Sequence, residues 1–287
     1  MTRKLLLCGG SGLIGRALAQ NLVLAGDQVL LLVRRPPRPL ADPNMLEVEW
    51  HPERPQSLLD PSPLEGCYAA VHLSGANLAD HRWTPSYKRL ILSSRVDTSR
   101  ALGRIFTALT APPPVVVAAS GINYYGDRGN ELLTEASHPG TGFLAETCQA
   151  WEAATSTLAP RVVQLRFGVV LTAHGGALPR LLRLFRLGLG GQLGNGRQWM
   201  SWLSREDAVA AIEFAIQRSQ LSGAYNTTSP HPVTNAEFTR VLGHTLHRPT
   251  FFYVPSLVLR AALGEMAQDA LLVSTRAVPE RLRAAGF

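Results

Sequence analysis

Cysteine is scarce in this chain of 287 residues, and no apolar run approaches the roughly 18 residues that span a bilayer. The three cysteines, Cys8, Cys67 and Cys148, lie far apart without paired spacing, which argues against a disulfide scaffold or a metal site. The N-terminus passes directly from Met-Thr-Arg-Lys into an apolar run, so we expect no signal or transit segment. These features predict a cytoplasmic protein with no stable membrane insertion.

Lysine is also rare, and the net charge of +7 comes almost entirely from arginine. The arginines are spread along the chain without a basic run of five, so we predict no nucleic-acid binding. The charge is more simply explained by an anionic cofactor or substrate. The length suits one large α/β domain, or a nucleotide-binding domain with a smaller appended lobe.

The segment 5–15, LLLCGGSGLIG, joins a short apolar run to a helical pattern through four glycines, Gly9, Gly10, Gly12 and Gly15. A buried strand that turns sharply into a helix lets phosphates approach bare backbone, where the helix N-terminus attracts negative charge. The glycines fit both Gly10-x-Gly12-x-x-Gly15 and Gly9-x-x-Gly12-x-x-Gly15. Either spacing, between a strand and a helix, predicts a dinucleotide pyrophosphate site.

The second apolar run, at 28–33, ends in Arg34 and Arg35. An NAD site would carry an acid here to bond the adenosine ribose, whereas an arginine pairs with the 2′-phosphate of NADP. The sequence therefore favours NADP over NAD. The alternative is that both arginines merely solvate the end of a strand.

Apolar runs and helical patterns alternate along the chain, which predicts an α/β fold of the Rossmann type with a doubly wound parallel sheet. The predicted strands lie at 4–8, 28–34, 46–50, 69–75, 115–120 and 161–171, and the predicted helices at 13–25, 85–109 and 142–158. We place the nucleotide-binding domain at 1–172 and a smaller C-terminal substrate lobe, packed on it, at 173–287. The lobe would hold helices at 205–217 and 235–247 and a strand at 224–228.

The segment 178–191, LPRLLRLFRLGLGG, predicts a basic amphipathic helix. Such a helix can lie on an anionic membrane surface. More often it faces a core with a solvated arginine edge, and we favour that interpretation.

Several longer motifs resemble the YfcH-like group of atypical extended short-chain dehydrogenases. They are the glycine motif, LSGAN at 73–77, Tyr-Tyr-Gly at 124–126, FLAETCQAWEAA at 143–154, RFGVVL at 166–171, RLGLGGQLGNGRQWMSW at 186–202 and TNAEF at 234–238. The resemblance covers essentially the whole chain, and the family pattern continues into a further helix after Phe287. It implies a Rossmann-type domain with a substrate lobe.

The resemblance also implies cofactor contacts. They are Gly9, Gly12, Leu13, Ile14 and Gly15 at the pyrophosphate, Val33 and Arg34 at the adenosine phosphate, Leu73 and Ser74 after the fourth strand, Arg95 on the following helix, and Val170 near the nicotinamide.

The usual catalytic set of this family is missing. An active member carries Ser or Thr on strand five and Tyr-x-x-x-Lys on the next helix, where the lysine lowers the pKa of the tyrosine. The resemblance places Gly121, Leu144 and Cys148 at those three positions, with Ser120 one residue early. Leucine cannot move a proton, and a neutral thiol cannot replace an ammonium group.

Candidate replacements are Tyr125, which we expect to face the substrate, then Tyr124, Glu146 and Cys148. An aromatic packing role for Tyr125 is the alternative. Trp199 and Trp202 would either line a substrate pocket or anchor the lobe, and Asp207 is expected to cap a helix.

Three functions remain open from the sequence, and the weakest of them is a membrane- or partner-docking protein that uses the basic helix at 178–190. The first is an NADP-dependent oxidoreductase or epimerase-like enzyme acting on a small carbonyl, hydroxyl or sugar-type molecule. The second is a non-catalytic NADP-binding sensor or scaffold. The substrate and the oligomeric state are not indicated.

Overall fold

A computed structural model of the chain describes residues 2–54, 58 and 60–287. The strands are β1 (Lys4–Cys8), β2 (Gln28–Val33), β3 (Met45–Glu49), β4 (Ala69–His72), β5 (Val115–Gly121), β6 (Leu132–Leu133), β7 (Arg161–Phe167), β8 (Val169–Leu171), β9 (Gly191–Leu193), β10 (Trp199–Met200), β11 (Trp202–Ser204), β12 (Gly223–Thr227), β13 (Val233–Thr234), β14 (Phe252–Val254) and β15 (Arg276–Ala277). The helices are α1 (Leu13–Leu24), α2 (Pro85–Ala108), α3 (Phe143–Thr155), α4 (Leu178–Arg186), α5 (Arg205–Gln217), α6 (Asn235–Thr245), α7 (Ser256–Leu263) and α8 (Glu280–Ala284). Two 3₁₀ turns lie at Ser62–Leu64 and Ile122–Tyr125, and a π-helical turn at Ala267–Leu271.

Seven parallel strands form the central sheet in the order β12-β7-β5-β4-β1-β2-β3. The chain winds outward from β1 in both directions, so the strand order reverses between β1 and β4. In open α/β sheets, ligands bind beside such a switch point, at the carboxyl ends of the strands. The doubly wound fold expected from the sequence is confirmed.

An apolar layer covers each face of the sheet. Alternate residues of each strand point into opposite layers. Leu5 and Leu7 belong to one apolar layer together with Ile212 of α5. Leu6 belongs to the opposite layer, where it is joined by Leu102 of α2. The continuous apolar run in β1 reflects this two-sided burial.

The strand that we placed in the C-terminal lobe at 224–228 is instead β12, an edge strand of the central sheet. It pairs with β7 from Gly223 to Thr227. The preceding helix α5 buries its apolar side in the layer around Leu5. The chain therefore leaves the sheet after residue 172 to form α4, β9, β10 and β11, returns to it with α5 and β12, and then leaves again with β13 and α6.

The strand predicted at 161–171 is divided at Gly168. A Cβ atom on this glycine would lie 2.6 Å from the carbonyl oxygen of Ser201, so the backbones of the two segments approach too closely for any side chain. After the break, β8 leaves the sheet and pairs with β11.

The basic helix α4 ends at Arg186, earlier than the predicted end at 191. Gly188, which follows shortly after, adopts a φ of +74°, a conformation that ends helices. Only Phe185 of this helix is buried, and Leu184 and Leu187 are exposed. Leu178, Leu181 and Leu182 are half-buried on the same side as Phe185, and Arg180, Arg183 and Arg186 are exposed. The helix therefore faces the interior with a solvated arginine edge, as predicted, and Leu184 is the exception. Asp207 is not a cap, because the hydroxyl of Ser204 accepts the Asp207 N–H and caps α5.

Candidate functional site

The glycine loop packs directly against the backbone that follows β4. A Cβ atom on Gly9, whose φ is +86°, would lie 2.8 Å from the carbonyl carbon of Leu73 and 2.9 Å from the nitrogen of Ser74. A Cβ on Gly15 would lie 2.3 Å from the carbonyl oxygen of Gly9. Because nothing larger than hydrogen fits at either position, the loop brings Gly9, Gly15, Leu73 and Ser74 together at the switch point.

Helix α1 begins in this loop with its positive end uncompensated by side chains. Gly12 is the N-cap residue without a side-chain capping bond, and no acidic residue lies in the first turn. The amides of Leu13 and Ile14 belong to this turn. A helix terminus of this kind attracts a phosphate through its N–H groups and its dipole.

The loop that follows β8 covers the same end of α1. A Cβ atom on Gly175 would lie 2.9 Å from the Cδ1 atom of Leu13, and one on Gly176 would lie 3.7 Å from the carbonyl oxygen of Val170. Val170, predicted beside the nicotinamide, is therefore linked through this loop to the start of α1.

Two arginines follow Val33 at the end of β2, and they have different surroundings. Arg35 donates to both carboxylate oxygens of Glu47 on β3, at 2.7 and 2.6 Å, and this bonding lowers the pKa of Glu47. Arg34 is exposed, and among the described residues it has no hydrogen-bond or ion-pair partner for its side chain. Of the two, Arg34 is the cation available to a ligand.

Arg95 of α2 reaches the loop that follows β4. Its guanidinium donates to the carbonyl oxygens of Ile91 and Ala76, at 2.9 and 3.2 Å, and stacks on Trp151 with 5.1 Å between the guanidinium carbon and the ring centroid. No carboxylate pairs with it in the described part of the chain, and burial lowers the pKa of the guanidinium. Arg95 thus places a desolvated positive charge beside Ala76, which follows Ser74 by two residues in the loop.

The three positions of the missing catalytic set lie close together. A Cβ atom on Gly121 would lie 3.7 Å from the sulfur of Cys148, and Leu144 precedes Cys148 by one turn of α3. Both side chains of α3 are buried. Burial raises the pKa of the Cys148 thiol to about 11, so the thiol is neutral at ordinary pH.

Tyr125 lies inside the molecule. Its side chain is fully buried, and its hydroxyl donates to Oδ1 of Asn226 at 2.7 Å and accepts from Arg166 at 2.9 Å. Burial raises the pKa of the phenol. These contacts favour the packing alternative for Tyr125, and proton transfer by Tyr125 stays a prediction.

A buried polar network around Tyr125 was missed by the sequence analysis. Arg166 donates twice to Glu152, at 2.8 Å each, and Ser120 donates to the same carboxylate at 2.6 Å. The amide of Asn226 donates to the carbonyl oxygen of Val278 at 3.0 Å. An arginine within the buried strand 161–167 was the available sign, because a buried charge needs a partner.

The other candidate residues, Tyr124, Glu146, Trp199 and Trp202, differ in their burial and contacts. The ring of Tyr124 is half-buried, with the Arg166 guanidinium carbon 3.5 Å from its centroid, and Glu146 is exposed on the first turn of α3. Trp199 donates to Asn130 at 3.0 Å and packs under Arg276. Trp202 belongs to β11 beside β8.

No group of three or more His, Cys, Asp or Glu side chains within the described ranges could hold a metal ion. No helix within the same ranges is long and apolar enough to cross a membrane.

The parallel sheet and its glycine loop define a Rossmann-type nucleotide-binding fold. Residues 5–227 match the model of the NAD-dependent epimerase/dehydratase family, and residues 254–287 match a domain of unknown function (DUF1731). The chain therefore belongs to the NAD-dependent epimerase/dehydratase family.

Relatives and solved structures agree with this assignment. The epimerase family protein Mb2239 of Mycobacterium bovis is 43% identical over 284 residues, which cover 98% of this chain and 91% of the relative. The bovine epimerase family protein SDR39U1 is 36% identical, over 99% of this chain and 94% of the relative. A crystal structure of human SDR39U1 (isoform 2) with NADPH superposes with a TM-score of 0.86 at 31% identity, covering 99% of this chain and 94% of that one.

Proposed function

We propose that this protein binds NADP(H) in preference to NAD(H) and that Arg34 holds the 2′-phosphate. The observation that carries the proposal is the difference between Arg34 and Arg35. Arg35 is bonded to Glu47, whereas Arg34 extends from the same strand end without a partner in the described structure. A guanidinium at this point attracts a phosphate, where an NAD site would carry an acid.

The rest of the cofactor would follow the edge of the sheet from β2 toward β5. The backbone at Gly9, Gly12 and Gly15, with the amides of Leu13 and Ile14, would hold the pyrophosphate. Val33 would contact the adenosine. Leu73 and Ser74 would lie beside the adenosine and pyrophosphate, with Arg95 as a second positive charge. Val170 would lie against the nicotinamide. NADPH in the human relative supports this assignment.

We further propose that the protein is an oxidoreductase or epimerase-like enzyme for a small carbonyl, hydroxyl or sugar-type substrate. A bound nicotinamide supplies hydride transfer at its C4 atom. The chain would contribute the substrate lobe and a proton relay that differs from Tyr-x-x-x-Lys. Tyr125 is the predicted donor, and its hydroxyl could exchange a proton only through a rearranged network, since Arg166 and Asn226 now engage it.

A non-catalytic NADP-binding sensor or scaffold is the second candidate. The specific observation in its favour is the trio Gly121, Leu144 and Cys148, which lie together and supply no acid or base near neutral pH. Turnover distinguishes the two functions. NADPH oxidation by any of a panel of aldehydes and ketones, or epimerisation of a nucleotide-linked sugar without net change in the nucleotide, favours the enzyme, and the absence of both favours the sensor.

The cofactor proposal is tested by fluorescence titration with NADPH and NADH. Charge-assisted hydrogen bonds to a phosphate contribute about 1.5–3 kcal/mol, so Arg34→Ala should weaken NADPH binding about tenfold to a hundredfold and leave NADH binding unchanged. Arg35→Ala is the matched control, with a much smaller expected effect on NADPH. Equal affinity of the wild-type protein for both nucleotides, or equal losses in the two variants, would overturn the proposal.

A further inference from the structure

Helix α4 with the loop after it, β14 with the residue before it, and the start of α7 expose a set of large apolar side chains. We name this set the basic apolar face. Phe251 is 91% exposed and Leu257 is 76% exposed. The full set is Leu184, Leu187, Leu189, Phe251, Phe252, Tyr253, Leu257 and Val258. Large exposed apolar side chains concentrated on adjoining segments are unusual on a monomer, and such concentrations mark interaction sites.

Contacts between the elements bring the segments that carry these side chains together. The guanidinium of Arg248 donates to the carbonyl oxygen of Arg186 at 3.0 Å, which joins the end of α4 to the segment before β14. Strand β14 pairs with β9, where Phe252 lies opposite Gly191. A Cβ atom on Gly194 would lie 3.8 Å from Ser256, which begins α7.

The same segments carry positive charge only. Residues 177–204 and 238–264 contain no aspartate or glutamate, and their arginines are Arg180, Arg183, Arg186, Arg197, Arg240, Arg248 and Arg260. Arg180 lies 3.9 Å from Asp80, which belongs to the loop after β4. The side chains of Arg183 and Arg186 are exposed, and no ion pair engages them among the residues that the structure describes.

Charge decides which partner fits this face. A second copy of the chain, docked through the same face with two-fold symmetry, would place arginines against arginines, which is unfavourable. A surface that combines leucine, phenylalanine and tyrosine with arginine matches the boundary of an anionic bilayer. There the apolar side chains enter the headgroup region and the guanidinium groups pair with lipid phosphates.

We propose that the basic apolar face docks the protein peripherally on membranes that contain anionic lipid. Phe251 and Leu257, the most exposed members, insert among the headgroups. Arg183 and Arg186 supply the electrostatic attraction. The cofactor site is not part of this surface, so the proposal does not depend on the function proposed above.

The test is co-sedimentation of the purified protein with vesicles. We expect the protein to sediment with phosphatidylglycerol/phosphatidylcholine vesicles at low salt, to stay in solution with pure phosphatidylcholine, and to be released at high salt. The apolar variant Phe251→Ser/Leu257→Ser and the charge variant Arg183→Glu/Arg186→Glu should each reduce binding at least tenfold. Circular dichroism and thermal unfolding confirm that the variants are folded.

Matched controls distinguish an effect of the basic apolar face from an effect of overall surface hydrophobicity or net charge. Leu24→Ser alters an equally exposed leucine on α1, and Arg89→Glu/Arg104→Glu changes the net charge by the same amount on α2. Both controls should bind as the wild type does. The proposal is overturned if the controls lose as much binding as the face variants, if wild-type protein binds neutral vesicles equally well, or if it binds neither. A wild-type dimer that Phe251→Ser/Leu257→Ser dissociates would assign the face to a second copy instead.

Discussion

His72 is buried at the end of β4, beneath the loop that carries Leu73 and Ser74. Its Nε2 atom lies 3.0 Å from the hydroxyl of Ser99, which itself donates to the carbonyl oxygen of Arg95. The hydroxyl must therefore accept from His72, and the imidazole carries its proton on Nε2. Burial, with a smaller contribution from the charge of Arg95, lowers the pKa of His72 to about 4.

This lowered pKa predicts a stability that depends on pH. Between pH 6.5 and 4 the unfolded chain protonates His72 and the folded chain does not, so the free energy of unfolding falls as the pH falls through this window. The full effect is about 3 kcal/mol, since each unit of pKa difference corresponds to about 1.4 kcal/mol. Urea unfolding at pH 7 and pH 5 should show a steeper loss in the wild type than in His72→Gln. An identical pH slope in the two proteins would contradict the assignment, and His244→Gln, at an exposed site, serves as the control.

Single residues also mark what the sequence could and could not predict. The glycine loop was predictable because strand, turn and helix are consecutive, and their geometry is set locally. The difference between Arg34 and Arg35 was not, because Glu47 lies on another strand and reaches Arg35 only once β2 and β3 pair. The surroundings of Tyr125 were not predictable for the same reason, since its partners Arg166 and Asn226 come from β7 and β12.

At the scale of elements, the helices and strands of the central sheet follow the sequence pattern closely. Helix α5 spans the predicted residues, and β1 and α2 end within one residue of expectation. Helix α4 turns its apolar stripe inward as predicted, but a stripe does not show which leucines at its margin stay uncovered. Leu184 and Leu187 are 47% and 66% exposed in this fold.

The pair Arg166–Glu152 connects two elements, β7 and α3, in the interior. Glu152→Gln would leave the buried Arg166 cation without a carboxylate, and removing one partner of such a pair costs about 3–5 kcal/mol. We expect a loss of about 3 kcal/mol in the free energy of unfolding, measured by urea titration. The control is Asp97→Asn, which breaks an exposed pair with Arg100 and should cost less than about 1 kcal/mol. Losses of similar size in both variants would show that the buried network contributes no more than a surface pair.

At the scale of the whole molecule, the predicted boundary at residue 172 divides the sheet. Strand β12 and helix α5 lie after that boundary, yet they complete the edge beside β7 and the apolar layer that contains Leu5. Leu282, near the C-terminus, belongs to the same layer. The side-chain amide of Asn226 on β12 donates a hydrogen bond to the carbonyl oxygen of Val278.

We therefore expect that a fragment of residues 1–172 does not fold on its own. Without β12 the hydrogen-bonding edge of β7 is open, and without α5 the layer around Leu5 and Val163 is exposed to water. The fragment should lack near-UV circular dichroism, bind a hydrophobic dye and unfold without a cooperative transition, whereas the full chain unfolds cooperatively. A fragment with a cooperative transition and native-like near-UV signal would instead make residue 172 a true domain boundary. In that case β12 and α5 would pack on a sheet that is stable without them, and the two parts of the chain would fold independently.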